Sequence, residues 1–325
     1  MNIHDSAIHY LQKHLLPSFK AMNVDLHLTG CGLRILDFGS QAQGGLRAGI
    51  ALSKLCMAGL SEVSLTVGGV TGQVVQVSTD HPLEACIASQ YAGWPISINE
   101  YFAMGSGPFR AARGKEKVLE ELELVTPATR TVGVLEVKDF PTEYVATRIA
   151  EEAGLAPEGL YLATARTSSI AGSMQIVARS IETCMHKMHE LGFDLRQVVS
   201  GCGSAPMPPI ASKDLQAMGW TNDAILYGGR VTLWCRAEDD ELAELIARIP
   251  SRSSADYGRP FIDIFEDYER DFYKIDPLLF SPAEVTVHNL NSGRIFVSGE
   301  VREDILRSSF PVSYTHLRAH ETSFH

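Results

Sequence analysis

The order of apolar patterns along this chain predicts an α/β fold. Segments that alternate apolar and polar residues interchange with segments of helical spacing from one end to the other, which all-helical and all-β folds do not do. The composition fits a chain that buries a normal core: 45% hydrophobic and 21% charged over 325 residues, a length suited to two ordinary domains. A charged stretch, GKEKVLEELELVTPATR at 114–130, breaks at Pro127 and is read as the joint between them, although a surface connection fits it equally well. The expected domains are therefore 1–125 and 126–310, both α/β.

The first segment, MNIHDSAIHYLQKHLLPSF, places Ile3, Ala7, Ile8, Leu11, Leu15 and Leu16 at helical spacing. VDLHLT and LRILDFG follow as short strands, then a helix over 43–58 with small residues at its start. SEVSLTVGG and GQVVQVST are strands bounded by glycines. A helix over 82–91 fits Pro82 in a first helical turn after Asp80. Beyond the joint, TVGVLEV, a helix near 142–153, the strand GLYLAT and a long helix near 170–190 form a βαβα run. The last third carries strands in ILYGGRVTLWC, AEVTVHNL and GRIFVSGEV, a helix near 239–249 and a closing helix, EDILRSSF. The final residues, 311–325, are His-rich and without period. They read as translated adaptor or vector sequence rather than native protein, which resequencing the locus would decide.

Several function classes are disfavoured by composition. The 28 basic and 39 acidic residues give a net charge of -11, with no Lys/Arg-rich run, so nucleic acid is not an expected partner. No apolar stretch approaches the ~20 residues that span a bilayer, and the start lacks the basic-then-apolar layout of a secretory signal. A cytoplasmic protein is expected. Six cysteines, at 31, 56, 86, 184, 202 and 235, contain no CxxC pair and are expected to be reduced thiols rather than a disulfide framework or a zinc site.

Three segments rich in glycine and polar residues are candidate ligand loops: STDHP at 78–82, YFAMGSGP at 101–108 and TNDAILYGG at 221–229. None is a phosphate loop, and each is equally well read as a tight turn. Ser106 lies between glycines but without the GxSxG elbow of a hydrolase nucleophile. His81 is a candidate acid or base, although a His before Pro at a helix start is also an ordinary structural residue.

A sharper constellation is SMQIVARSIETCMHKMHE at 173–190. Arg179 and Glu182 stand three apart among Ile176, Val177, Ala178 and Ile181, on one face of a helix. Burial disfavours an ionised carboxylate and a neighbouring arginine favours it, opposing pushes that tune a general base towards neutral pH. From spacing alone a plain intrahelical ion pair explains the two as well or better. A rival reading makes Glu182, His186 and His189 three metal ligands on one side of the helix. The pattern is not HExxH, however, and Lys187 and Glu190 point to a solvated flank.

In order, GGLRAGIALSKLCMAGL, VQVSTDHP, AGWPI, YFAMGSGP, ARSIETC, TNDAILYGG, DYGRPFIDIFE and DFYKIDP resemble methenyltetrahydromethanopterin cyclohydrolase, over about residues 1–310 and most nearly in the form found in methylotrophic bacteria. The resemblance implies an enzyme of one-carbon metabolism (formaldehyde oxidation in methylotrophs) that reversibly hydrolyses the methenyl group of a pterin-linked carrier to the N5-formyl form. It also implies two α/β domains with a deep cleft between them, a homotrimer, and no metal or prosthetic group. The family's catalytic Arg and Glu fall on Arg179 and Glu182. By motif position, Asp80, His81, Met104, Gly105, Ser106 and Gly107 are placed at the pterin, and Asn222 and Asp223 at its amide and amine. Tyr101, Phe102 and Tyr227 are expected to offer apolar or stacking surface, and Lys274 to meet the carrier's anionic tail. A metal-dependent hydrolase using Glu182, His186 and His189 and a non-catalytic pterin-binding subunit are the remaining alternatives.

Overall fold

A computed structural model describes residues 2–271 and 274–311; the 311–325 segment set apart above thus lies outside the described residues from 312 onward. The fold is α/β, with twelve strands in two six-stranded sheets among the described residues. They are β1 (Asp25–Leu28), β2 (Arg34–Gly39), β3 (Glu62–Val67), β4 (Gln73–Thr79), β5 (Trp94–Ile98) and β6 (Tyr101–Ser106). The others are β7 (Thr131–Val137), β8 (Leu160–Ala165), β9 (Val198–Pro206), β10 (Arg230–Cys235), β11 (Glu284–Asn289) and β12 (Ile295–Gly299). The first sheet runs β1-β2-β8-β7-β6-β5 and the second β12-β11-β10-β9-β4-β3. In the first, β2, β8 and β7 are parallel, and β1, β6 and β5 are antiparallel additions.

The chain crosses between the sheets, so each takes strands from both sides of residue 125. The linear partition at 125/126 therefore matches neither sheet. The charged stretch at 114–130 joins two neighbours of the same sheet, β6 and β7, and carries a short helix, Lys117–Glu121, whose lysine pairs with Glu121 at 2.8 Å. Its charge marks a surface connection.

Strand alternation assigns the two faces of the first sheet. Leu135 and Val137 pack with Ile35, Ile96 and Leu162 against Val145, Ala146 and Ile149 of the helix Glu143–Glu152. Val132 and Val134 point the other way, into the large core with the helices Leu46–Cys56 and Ile170–Val177. The inward residues of the second sheet, among them Val75, Val77, Val231, Leu233, Val285 and Val287, close that core. Its outer face is different. Gln76, Cys202, Thr232, Trp234, Thr286, His288, Ile295 and Val297 are all exposed or half-exposed.

The N-terminal helix forms as its spacing predicts, with Ile3, Ala7, Ile8, Leu11 and Leu15 buried; the last two lie on a π-type turn, Leu11–Leu15. Two candidate loops are regular elements instead. YFAMGS is strand β6, and TNDAILYG is the end of the helix Asp214–Gly228, so the strand expected in ILYGGRVTLWC begins only at Arg230. All six cysteines are unpaired. Among the described residues, no helix is long and apolar enough to cross a membrane.

Two buried cations tie the interior together. Lys187, expected on a solvated flank, is 1% exposed; its ammonium donates to the Pro250 carbonyl at 3.0 Å and to Ser253 Oγ at 2.7 Å, and burial lowers its pKa to about 8. Arg110 is fully buried, bonds Glu116 through both carboxylate oxygens and donates to the carbonyls of Ile87 and Ser89 at 3.1 and 3.2 Å. Glu116→Ala strands that guanidinium, and the expected loss is about 3–5 kcal/mol of unfolding free energy. Chemical denaturation checks it, and a loss below about 1 kcal/mol contradicts the account.

Candidate functional site

The long helix expected at 170–190 is two helices. Ser169 caps Ile170–Val177, its Oγ accepting from the Gly172 amide at 3.0 Å, and Ala178 ends that helix. Arg179, with φ -87° and ψ 7°, begins the next, Ser180–Glu190, and Glu182 lies in its first turn. The helix dipole there favours a negative charge. The break is held from outside by Gln90, whose side-chain amide donates to the Ala178 carbonyl at 3.1 Å.

Arg179 and Glu182 are 7% and 4% exposed. One Arg179 nitrogen donates to the Gln90 carbonyl, and the other to Ser106 Oγ at 3.1 Å. The approach to Glu182, Nη1 to Oε2, is 3.9 Å, an ionic contact longer than a hydrogen bond. The arginine is thus fixed by neutral acceptors while the carboxylate is held by charge alone. Burial lifts the Glu182 pKa, Arg179 and then Arg110 pull it down, and the balance is about 7. A carboxyl group poised there is suited to take and return a proton at neutral pH.

Ser106 reaches Arg179 because of β6 and the turn after it. Gly107 has φ 100°, its amide donates to the Ser89 carbonyl at 2.6 Å, and a Cβ would stand 3.2 Å from the Val134 nitrogen. Only glycine lets the chain turn so close to β7. Ser106 Oγ also meets Cys56 Sγ at 3.3 Å, which accepts from Gln175 Nε2 at 3.3 Å.

Pleating divides the residues expected at the pterin. Phe102, Met104 and Ser106 share the face of β6 that meets Arg179; Tyr101 and Gly105 point to the opposite face, with Ala103. Tyr101 packs against the smaller core, its hydroxyl buried without a partner among the described residues. Phe102 is 56% exposed. Asp80 is exposed and accepts from Ser200 Oγ at 2.8 Å, while the half-buried His81 donates its amide to Thr79 Oγ1 at 3.0 Å. Asn222 donates from its side chain to the Met218 carbonyl of its own helix at 2.9 Å.

Asp223 and Tyr227 are tied into the fold itself. Asp223 is fully buried and accepts from the Phe261 amide at 2.7 Å and Ser309 Oγ at 2.5 Å; burial raises its pKa to about 7. The buried Tyr227 hydroxyl accepts from the Gly258 and Arg259 amides, both at 3.2 Å, and donates to the Arg259 carbonyl. Both groups spend their polar capacity pinning the C-terminal segments, and Tyr227 offers no open ring. Lys274 is exposed and pairs with Glu269 at 3.1 Å.

The metal-ligand reading does not match the geometry. His186 stacks on Tyr91 with ring centres 4.6 Å apart, and His189 Nε2 lies 3.1 Å from Glu121 Oε2. Among the described residues, no group of three His, Cys, Asp or Glu side chains is placed to hold a metal ion.

Three residues near the pair were not singled out from the sequence: Gln90, Arg110 and Glu136. Glu136 stands on β7 opposite Met104 and receives a hydrogen bond from the Thr167 hydroxyl. Its signal was a lone carboxylate closing the apolar run TVGVLEV.

Comparison with known proteins places this geometry in a family. A family model described as Cyclohydrolase (MCH) matches residues 3–310. A protein of Rhodopirellula baltica named methenyltetrahydromethanopterin cyclohydrolase is 50% identical over 293 residues, 88% of this chain and 88% of that protein. Proteins of the same name from Methylobacillus flagellatus and Methanococcoides burtonii are each 42% identical, over 306 and 288 residues. These alignments cover 93% and 86% of this chain, and 94% and 89% of those proteins. The chain belongs to the methenyltetrahydromethanopterin cyclohydrolase family.

Proposed function

We propose that this protein reversibly hydrolyses 5,10-methenyltetrahydromethanopterin to the 5-formyl form, with Glu182 as the base and Arg179 as its orienting partner. The observation that carries the chemistry is Glu182: a buried carboxyl group with a pKa of about 7, 3.9 Å from a guanidinium fixed by other acceptors. The methenyl carbon lies between two nitrogens in a delocalised cation, so it is already electrophilic, and what the reaction lacks is a deprotonated water. Glu182 accepts a proton from water as the C–O bond forms. The resulting tetrahedral centre opens by breaking one C–N bond: Glu182 returns the first proton to the departing nitrogen, and the hydroxyl releases its own proton to solvent as the carbonyl forms, so one proton is set free overall. The substrate's own charge supplies the activation that a metal gives elsewhere, so no metal or prosthetic group is required. The carrier binds against the Arg179 face of β6, where Met104 and Ser106 stand beside Phe102; Asp80, His81, Asn222 and Lys274 are peripheral candidates for the cleft and the anionic tail.

Loss of methenyl absorbance on adding purified protein, with EDTA present, tests the activity. Decay well above the uncatalysed rate is expected. No decay contradicts the reading and leaves the binding-subunit alternative.

We place the protein in the cytoplasm as a homotrimer. The uncovered outer face of the second sheet supports self-association, because Trp234, Ile295 and Val297 there are more apolar than a solvated sheet face needs. Trp234→Glu is expected to give a monomer in sedimentation; an unchanged assembly contradicts this choice of surface.

A further inference from the structure

Glu136 is a second carboxyl group on the sheet face that meets Arg179. In the β6–β7 register Ser106 lies opposite Val134 and Met104 opposite Glu136, so these four side chains share one face. Ser106 holds Arg179 on that face at 3.1 Å, which places Glu136 one cross-strand pair along from the arginine's anchor. Val132 and Val134, the inward neighbours on the same strand, are buried, whereas Glu136 keeps access to solvent. Its Oε1 accepts from Thr167, a residue 5% exposed whose carbonyl is tied to Ser173 Oγ at 2.7 Å; among the described residues no hydrogen bond reaches Oε2. The group is oriented on one oxygen and open on the other.

We propose that Glu136 is the counter-charge for the cationic substrate, a specificity residue that binds the methenyl form in preference to the neutral formyl form. The inference rests on the cyclohydrolase reading above and deepens it. Arg179 and an ionised Glu182 sum to zero, so a substrate carrying one positive charge would leave the buried site with an uncompensated charge. Burying such a charge is costly. The deficit persists through the reaction, because the proton lost by water passes to Glu182 while the substrate becomes neutral. An ionised Glu136 brings the total to zero at both stages.

Asp214, a further carboxylate near Glu136, is already spent: it accepts from Arg166 at 2.7 Å and from Ser168 Oγ at 2.6 Å. Burial raises the Glu136 pKa, while the Thr167 hydroxyl and Arg179 oppose that rise. An arriving cation adds to the opposing side.

The test is Glu136→Gln, with Glu136→Asp and Thr167→Ala beside it, in a comparison of KM for methenyltetrahydromethanopterin with the inhibition constant of its formyl product. Glu136→Gln is expected to raise KM about tenfold or more, as loss of a close charge partner does, and to change product inhibition and kcat by less than about threefold. Glu136→Asp recovers part of the loss, and Thr167→Ala shows the same selectivity in smaller measure. A retained melting temperature establishes that the variants fold. An unchanged KM, or a KM that rises together with the product constant, overturns the proposal while the wild-type activity stands. An inactive wild type overturns the cyclohydrolase reading itself.

Discussion

Glu182→Gln abolishes turnover and leaves the protein folded. The substitution keeps shape and removes only the capacity to take a proton, and general-base catalysis is worth roughly 10²–10⁴-fold. A fall in kcat of that size is expected in the absorbance assay. Stability moves the other way. The folded-state pKa of Glu182 lies above the ordinary carboxylate range, so the fold holds the protonated form in preference. Above the unfolded-state pKa, ionising this buried group therefore costs stability. The neutral amide removes that cost, and the variant should melt at or above the wild-type temperature at pH 8. A clear drop in melting temperature with intact kcat would make Glu182 a structural residue.

Arg179→Ala is the second large effect, and its signature is a shift as well as a loss. Arg179 is the principal group lowering the Glu182 pKa against burial. Without it that pKa rises further, less of the base is ionised at pH 7, and the acid limb of the rate profile moves towards alkaline pH. Part of the lost activity should return as the pH is raised. The substitution also leaves the Gln90 carbonyl and Ser106 Oγ without their donor, so the break between the helices at 178–179 loosens. Activity that falls equally at every pH would assign Arg179 to position alone and not to charge.

The fold class was legible because periodicity survives in single segments. TVGVLEV, GLYLAT and the N-terminal helix all appear where their patterns place them. The sheets were not legible, since pairing joins residues far apart: β2 lies beside β8, and β4 beside β9. A charged stretch such as 114–130 marks a surface, and local composition does not distinguish a domain joint from a turn between neighbouring strands. The break in the long helix left no proline or glycine at Ala178–Arg179; it is imposed by Gln90 and the packing around it.

Within the candidate site, Arg179 and Glu182 were visible as a charged pair in an apolar run, and their burial follows from it. The direction of each β6 side chain was hidden in the mistaken reading of YFAMGSGP as a loop. Once it is a strand, period-two alternation separates Tyr101 from Phe102 without further information. Asp223 and Tyr227 suggest ligand contacts as polar residues beside glycines; what the sequence hides is that both satisfy buried backbone amides. Lys187 was misplaced for a related reason: a lysine is read as solvated until the three acceptors that hold its buried ammonium are seen.

The most direct test of the central claim is kcat/KM against pH for the wild-type protein, corrected for uncatalysed hydrolysis. A base that must be ionised, with a pKa of about 7, predicts a rate constant that falls as pH drops through about 7. That limb should be absent from the residual rate of Glu182→Gln. A wild-type profile flat from pH 8 to pH 5, or one whose acid limb survives in Glu182→Gln, would contradict the assignment of the base.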